Sequence, residues 1–117
     1  SKINKFKLKE SYLNKIFEYV IRIRVAYISK NSTYEYKMWH IYKYVIRLSI
    51  DILLYNGYIT YSNLKNLTKN EIVNLCKEYG IIKKDTIIDF NSLEKMYELF
   101  QEINLYVVNS HTGKIKS

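Results

Sequence analysis

The stretch that decides the fold is residues 34–57, YEYKMWHIYKYVIRLSIDILLYNG. Met38, Trp39, Ile41, Tyr42, Val45, Ile46, Leu48, Ile50, Ile52, Leu53 and Leu54 fall on nearly every face of a helix. A helix that is apolar all round must be covered by neighbours on several sides. Asn56-Gly57 ends the run, because glycine readily takes the left-handed conformation that follows a helix C-terminus. Upstream, Ser32 with Glu35 has the spacing of a capping box, in which the hydroxyl accepts from the N3 amide and the carboxylate reaches back. The pattern predicts a buried central helix over about 34–55.

Working outward, Leu13, Ile16, Phe17, Val20, Ile21, Tyr27 and Ile28 recur at steps of three and four, which predicts a first helix over about 11–29. The alternation across Val20–Ile28 also fits a strand, but the helical period begins before that run. SKNST (29–33) breaks it. After Gly57, a helix of some two turns is expected at about 61–66. Thr68 with Glu71 forms a second capping box, opening a helix with Ile72, Val73, Leu75 and Cys76 inward and Gly80 at its end. Asn91 with Glu94 opens the last helix, carrying Leu93, Met96, Leu99, Phe100, Ile103 and Tyr106 or Val107. Residues 58–60 (YIT) and 87–89 (IID) could pair as a minimal β bridge. NSHTGKIKS (109–117) reads as a flexible polar tail. With no proline and three glycines, the fold class is all-α: a compact five-helix bundle in one domain, 1–117. The chain opens on Ser1 rather than Met, which fits a piece excised from a larger protein.

The 117 residues suffice for one sizeable core. Ile, Lys, Asn and Tyr number 17, 16, 11 and 13. AT-rich codons spell all four, so a low-GC genome accounts for much of the lysine and discounts the net charge of +8. The distribution of charge is more telling. Residues 1–48 hold eleven Lys and Arg against Glu10, Glu18 and Glu35, a balance of +8, whereas residues 49–117 hold eight of each sign. Genome bias acts on both halves alike, so the asymmetry has another cause. The one cysteine, Cys76, fits a reducing compartment and excludes an internal disulfide framework. No apolar run approaches the roughly 20 residues needed to span a bilayer, and no signal-peptide pattern opens the chain. An intracellular location, cytoplasmic or nuclear, is expected.

Three motif readings compete for the second half. NGYITYSNL and TIIDFNSLEKMYELF resemble the second halves of EF-hand loops, where a glycine turns the chain, an Ile joins a tiny sheet and a helix follows. Such loops hold Ca²⁺ through oxygens at positions 1, 3, 5, 9 and 12. Placing Gly57 at position 6 puts Ile52, Leu54 and Asn63 at 1, 3 and 12. Placing Ile88 at position 8 puts Ile81, Lys83 and Ser92 there. Neither set binds the ion, so the resemblance implies at most a metal-free EF-hand-like relative. A helix-turn-helix reading would send Lys69–Tyr79 into a major groove with Asn70, Asn74 and Lys77 toward the bases, but Glu71 and Glu78 balance its charge. Helix content and length also resemble the HEPN ribonucleases, which need an Arg about five residues before a His. Tyr106 stands at that place before His111, which leaves at most an inactive HEPN-like relative.

Catalytic signals are sparse. His40 reads as a core or rim histidine, Cys76 lies on an apolar face, and no metal-ligand spacing or glycine-rich phosphate loop occurs. The expectation is a non-enzymatic binding module without metal or cofactor. Its leading reading is nucleic-acid or polyanion binding through Lys15, Arg22, Arg24, Lys30, Lys37, Lys43 and Arg47. These cations are interleaved with tyrosines, so they would neutralise phosphates while the rings stack on bases. An acidic protein surface is the related partner. The alternative is a helical protein-interaction module, a domain of a larger assembly or a viral or parasite effector. It would receive a partner helix in a groove of Met38, Trp39, Tyr42, Met96 and Phe100.

Overall fold

The computed structural model describes the backbone of residues 2–116 and the side chains of residues 7–110. Five helices follow one another: α1 Lys2–Ile28, α2 Tyr34–Tyr55, α3 Tyr61–Leu64, α4 Lys69–Glu78 and α5 Leu93–Lys116. Among the described residues there is no strand. The chain is an all-α compact globule in which α2 is central, packing against α1, α4 and α5.

The register of the α1–α2 pair can be followed through its side chains. Lys9 lies over the Tyr55 ring, Arg22 over Tyr44, and the Lys37 Nζ donates to the Tyr27 carbonyl at 2.9 Å. As the number rises along α1 it falls along α2, so the two form an antiparallel hairpin. α1 turns Tyr12, Ile16, Val20, Ile23 and Ala26 inward at steps of three and four. These meet Ile41, Val45, Leu48 and Ile52 of α2. From α5, Met96, Leu99, Phe100, Ile103 and Val107 close the core on the other side. Each such side chain contributes about 1.5–3 kcal/mol by leaving water.

Both expected glycine stops hold, with φ of +72° at Gly57 and +74° at Gly80. Each completes the same hydrogen-bond pattern. Gly57 N donates to Leu54 O and Tyr58 N to Leu53 O; Gly80 N donates to Lys77 O and Ile81 N to Cys76 O. The two turns are joined by a Tyr58–Tyr79 ring stack at 4.0 Å. The Thr68–Glu71 capping box is present as expected. The long segment between α4 and α5 is held by buried Ile81 and Ile82 and by polar ties. Glu102 accepts from Lys83 N and from the Thr86 hydroxyl, and Lys77 Nζ donates to Thr86 O at 2.7 Å.

Several sequence expectations are corrected. α1 begins at Lys2, not near residue 11, because the lysine-rich first turns carry no apolar period to announce them. The N-cap of α2 is Thr33, which accepts from Tyr36 N, while the Ser32 hydroxyl is engaged with Ser29. At α5 the cap likewise shifts one residue on, with Ser92 accepting from Lys95 N. α3 has a single turn. The 58–60/87–89 bridge does not form. Tyr58 N is committed to the helix stop and Thr60 N to Asn63, while Ile87 is 80% exposed. The small sheet of an EF-hand-like pairing is therefore absent from the described residues. The backbone of α5 runs on to Lys116. The side chain of His111, and with it any HEPN-like site, lies outside the described residues.

Candidate polyanion interface

Tyr44 is the organising side chain. It lies on the α2 face turned to α1, with its ring buried against Tyr19 at 5.3 Å. Three cations approach this one ring: Lys43 Nζ at 5.4 Å, Arg47 Cζ at 5.5 Å and Arg22 Cζ at 5.6 Å from its centroid. Lys43 and Arg47 come from α2, four residues apart on one face, while Arg22 comes across the seam from α1. The negative face of the ring attracts each cation by about 0.5–1 kcal/mol at such partly exposed sites. This attraction draws together charges that otherwise repel.

Little negative charge answers them. Arg22 binds Glu18 at 2.8 Å, one turn back on α1. Both side chains are about half exposed, so solvent screens the pair. The hydrogen bond to Glu18 holds the Arg22 guanidinium above its usual range. The other acid of the seam is Asp51, one turn beyond Arg47 and 7% exposed. Burial pushes its carboxyl up to about 6 against the opposing pull of Lys15 and Arg47. Below that pH the carboxyl is protonated and no longer offsets Lys15 and Arg47.

His40 and Trp39 extend the seam. The His40 ring meets Tyr44 edge-on at 4.6 Å and stacks with Tyr36 at 5.2 Å. Burial first, then Lys43 and Arg22, hold its pKa below the ordinary histidine value, so the imidazole is neutral at pH 7. Trp39 is 58% exposed, with Lys43 Nζ 4.7 Å above its ring. Tyr36, Trp39, Lys43 and Arg47 thus share one open face of α2, with aromatic rings toward its N-terminus and cations beyond.

The seven cations named from sequence separate into groups. Lys15, Arg22, Lys43 and Arg47 lie along the α1–α2 seam. Lys37 is tied to the Tyr27 carbonyl and closes the hairpin. Lys30 is exposed in the 29–33 turn, and Arg24, 200° around α1 from Arg22, is exposed on the outer face. Of the five residues of the expected partner-helix groove, Trp39 is exposed. Met96 and Phe100 are 1% exposed in the core, because α5 uses that face to pack on α2, and Met38 and Tyr42 are half-buried. In α4, Lys77 donates to the Thr86 carbonyl, so it is not offered to bases as the helix-turn-helix reading required. Cys76 is buried, its thiol pushed up to about 12 by burial. Among the described residues no group of three His, Cys, Asp or Glu is placed to hold a metal ion. No helix among them is long and apolar enough to cross a membrane. His40, Trp39 and Asp51 were not assigned to a charged site from sequence. The spacing 36, 39, 43, 47 could have grouped the open face, but nothing in the letters marks Asp51 as buried.

Comparison with protein-family models, with curated proteins and with solved structures finds no match to this chain.

Proposed function

We propose that this domain binds a nucleic acid through the α1–α2 seam, with Lys15, Arg22, Lys43 and Arg47 on the phosphates. Trp39 and Tyr36 offer open rings on which unpaired bases stack, so the preferred ligand is single-stranded. The observation that carries this reading is the convergence of three cations on the Tyr44 ring with Glu18 as the one ion-pair partner found for them. A merely solvated charged face has no need of such crowding. The concentration of all three arginines in the first 48 residues supports the same reading, since arginine presents a fork of donors matched to phosphate oxygens.

The reading is tested by fluorescence anisotropy with labelled single-stranded and duplex oligonucleotides of mixed sequence. The triple variant Arg22→Ala, Lys43→Ala, Arg47→Ala is expected to lose binding, with helix content by circular dichroism unchanged. Trp39→Ala should weaken the single strand more than the duplex. Wild-type-like affinity of the triple variant overturns the reading.

A further inference from the structure

Lys69 departs from the other cations of its half of the chain. It is exposed at the first position of α4, and its Nζ lies 4.8 Å from the centroid of the Tyr42 ring on α2. The needs of α4 do not account for this placement. A cation in the first turn of a helix meets the positive end of the macrodipole, so α4 gains nothing from it there. No ion pair among the described residues engages it either. Of the acids on this side, Glu71 is committed to the Thr68 amide in the capping box. Glu35 sits about two turns from Tyr42, at the α2 N-terminus. Lys69 repeats, on the α4 side of α2, what the seam shows on the α1 side: a cation over a tyrosine ring.

The two sides are linked across α2. Tyr44 and Tyr42 stand two residues apart, so about 200° of helix surface separates them around the open face. Trp39 lies between them, with Lys43 Nζ 4.7 Å above its ring and Tyr42 about one turn on. Phe90 braces Tyr42 edge-on at 5.0 Å. Cation and ring therefore alternate in one band: Arg22 on Tyr44, Lys43 on Trp39, Lys69 on Tyr42. We propose that the single strand bound at the seam crosses the open face of α2 over Trp39 and sets a further phosphate on Lys69. The inference rests on the seam reading and extends it from α1 to α4. It also narrows the ligand. A helix with its side chains is about 10–12 Å across, so the path over 200° of it is about 20 Å long and sharply curved. A DNA duplex, stiff over about 50 nm, cannot follow such a curve. A stacked single strand, at about 3.4 Å per phosphate, covers the path with about six nucleotides.

The test is a titration of the whole chain with oligothymidylates of increasing length, followed by labelled-strand anisotropy and by the emission of Trp39, the one tryptophan. Wild-type affinity is expected to rise with length to about six nucleotides and then level off. Lys69→Ala should lose about threefold to tenfold at the longer lengths, with a salt slope shallower by about 0.7. Lys69→Arg should restore both. Lys84→Ala removes the same charge from an exposed site away from the band and should bind like the wild type. Lys69 and Lys84 are both exposed, so thermal unfolding should stay unchanged. The proposal is overturned by a Lys69→Ala chain that follows the wild type at every length, by an equal loss in Lys84→Ala, or by Trp39 emission that binding leaves unaltered. Those results leave the seam reading standing if the triple Arg22→Ala, Lys43→Ala, Arg47→Ala has lost affinity. A triple variant that binds like the wild type removes both.

Discussion

In the α1–α2 hairpin, Arg22, Lys43 and Arg47 gather on one tyrosine ring, and of the three Arg22 is ion-paired, with Glu18. In the 56–92 region the polar groups are spent inside the chain. Lys77 caps a carbonyl of the loop, the Lys83 amide and Thr86 hydroxyl end on Glu102, and Thr68 and Glu71 satisfy each other. The two regions hold similar letters, rich in lysine, tyrosine and isoleucine. The difference shows in particular cations: Lys77 finds a backbone oxygen in one region, Lys43 and Arg47 an aromatic face in the other. A lysine bound to a carbonyl is structural and gains nothing from a phosphate. A cation on a ring keeps most of its hydrogen-bonding capacity for a ligand.

That contrast is broken or sharpened by moving charge in each region separately. The largest effect is expected for the seam triple Arg22→Ala, Lys43→Ala, Arg47→Ala, which should weaken oligonucleotide binding more than a hundredfold at low salt. Lys65→Ala, Lys84→Ala, Lys95→Ala removes the same net charge from the balanced half and should change affinity only a few-fold. Equal losses in the two triples would mean that net charge, not the seam, binds.

Asp51→Asn comes next. The folded-state pKa of Asp51, about 6, lies above its ordinary 3.8, so the native state holds the proton more tightly than the unfolded chain. Its contribution is fully present below pH 4 and is lost as pH rises through 6. Replacing it by Asn should therefore stabilise the protein by about 2–3 kcal/mol at pH 8. The gain should vanish near pH 4, as followed by urea unfolding at each pH. Wild-type binding should also strengthen as pH falls toward 5.5, because Asp51 takes up a proton and its negative charge no longer offsets Lys15 and Arg47.

Glu102→Ala should cost about 2 kcal/mol of stability by freeing two donors of the α4–α5 segment, and leave oligonucleotide affinity unchanged. Smallest is Lys37→Ala, a cation named from sequence as a ligand contact. It should cost about 1 kcal/mol in unfolding and little in binding, since its ammonium closes the hairpin on the Tyr27 carbonyl.

How much of this was legible follows from the range over which each feature acts. α2 was bounded by its apolar run and by Gly57, and α4 by Thr68, Glu71 and Gly80, all of which act within four residues. Two caps were placed one residue early, because Ser32 and Thr33, or Asn91 and Ser92, are equally able acceptors and only the chain entry decides. The start of α1 was missed because its lysine-rich first turns carry no sustained apolar period. At the site, the cations were legible as a set but their convergence was not. Arg22 reaches Tyr44 only through the hairpin register that the 29–33 turn imposes. The same register made Lys37 structural, whereas the placing of Arg24 away from Arg22 was legible from their two-residue spacing on one helix. Burial of Met96 and Phe100 depended on where α5 docks, which no local pattern states.

The central claim is that the α1–α2 seam neutralises phosphates, and the salt dependence of binding tests it most directly. The measurement is the slope of log K against log salt for a single-stranded oligonucleotide, compared between the wild-type chain and the seam triple. The account predicts a slope shallower by about 2 in the triple, near 0.7 for each of the three cations removed. A triple variant with the wild-type slope would contradict it.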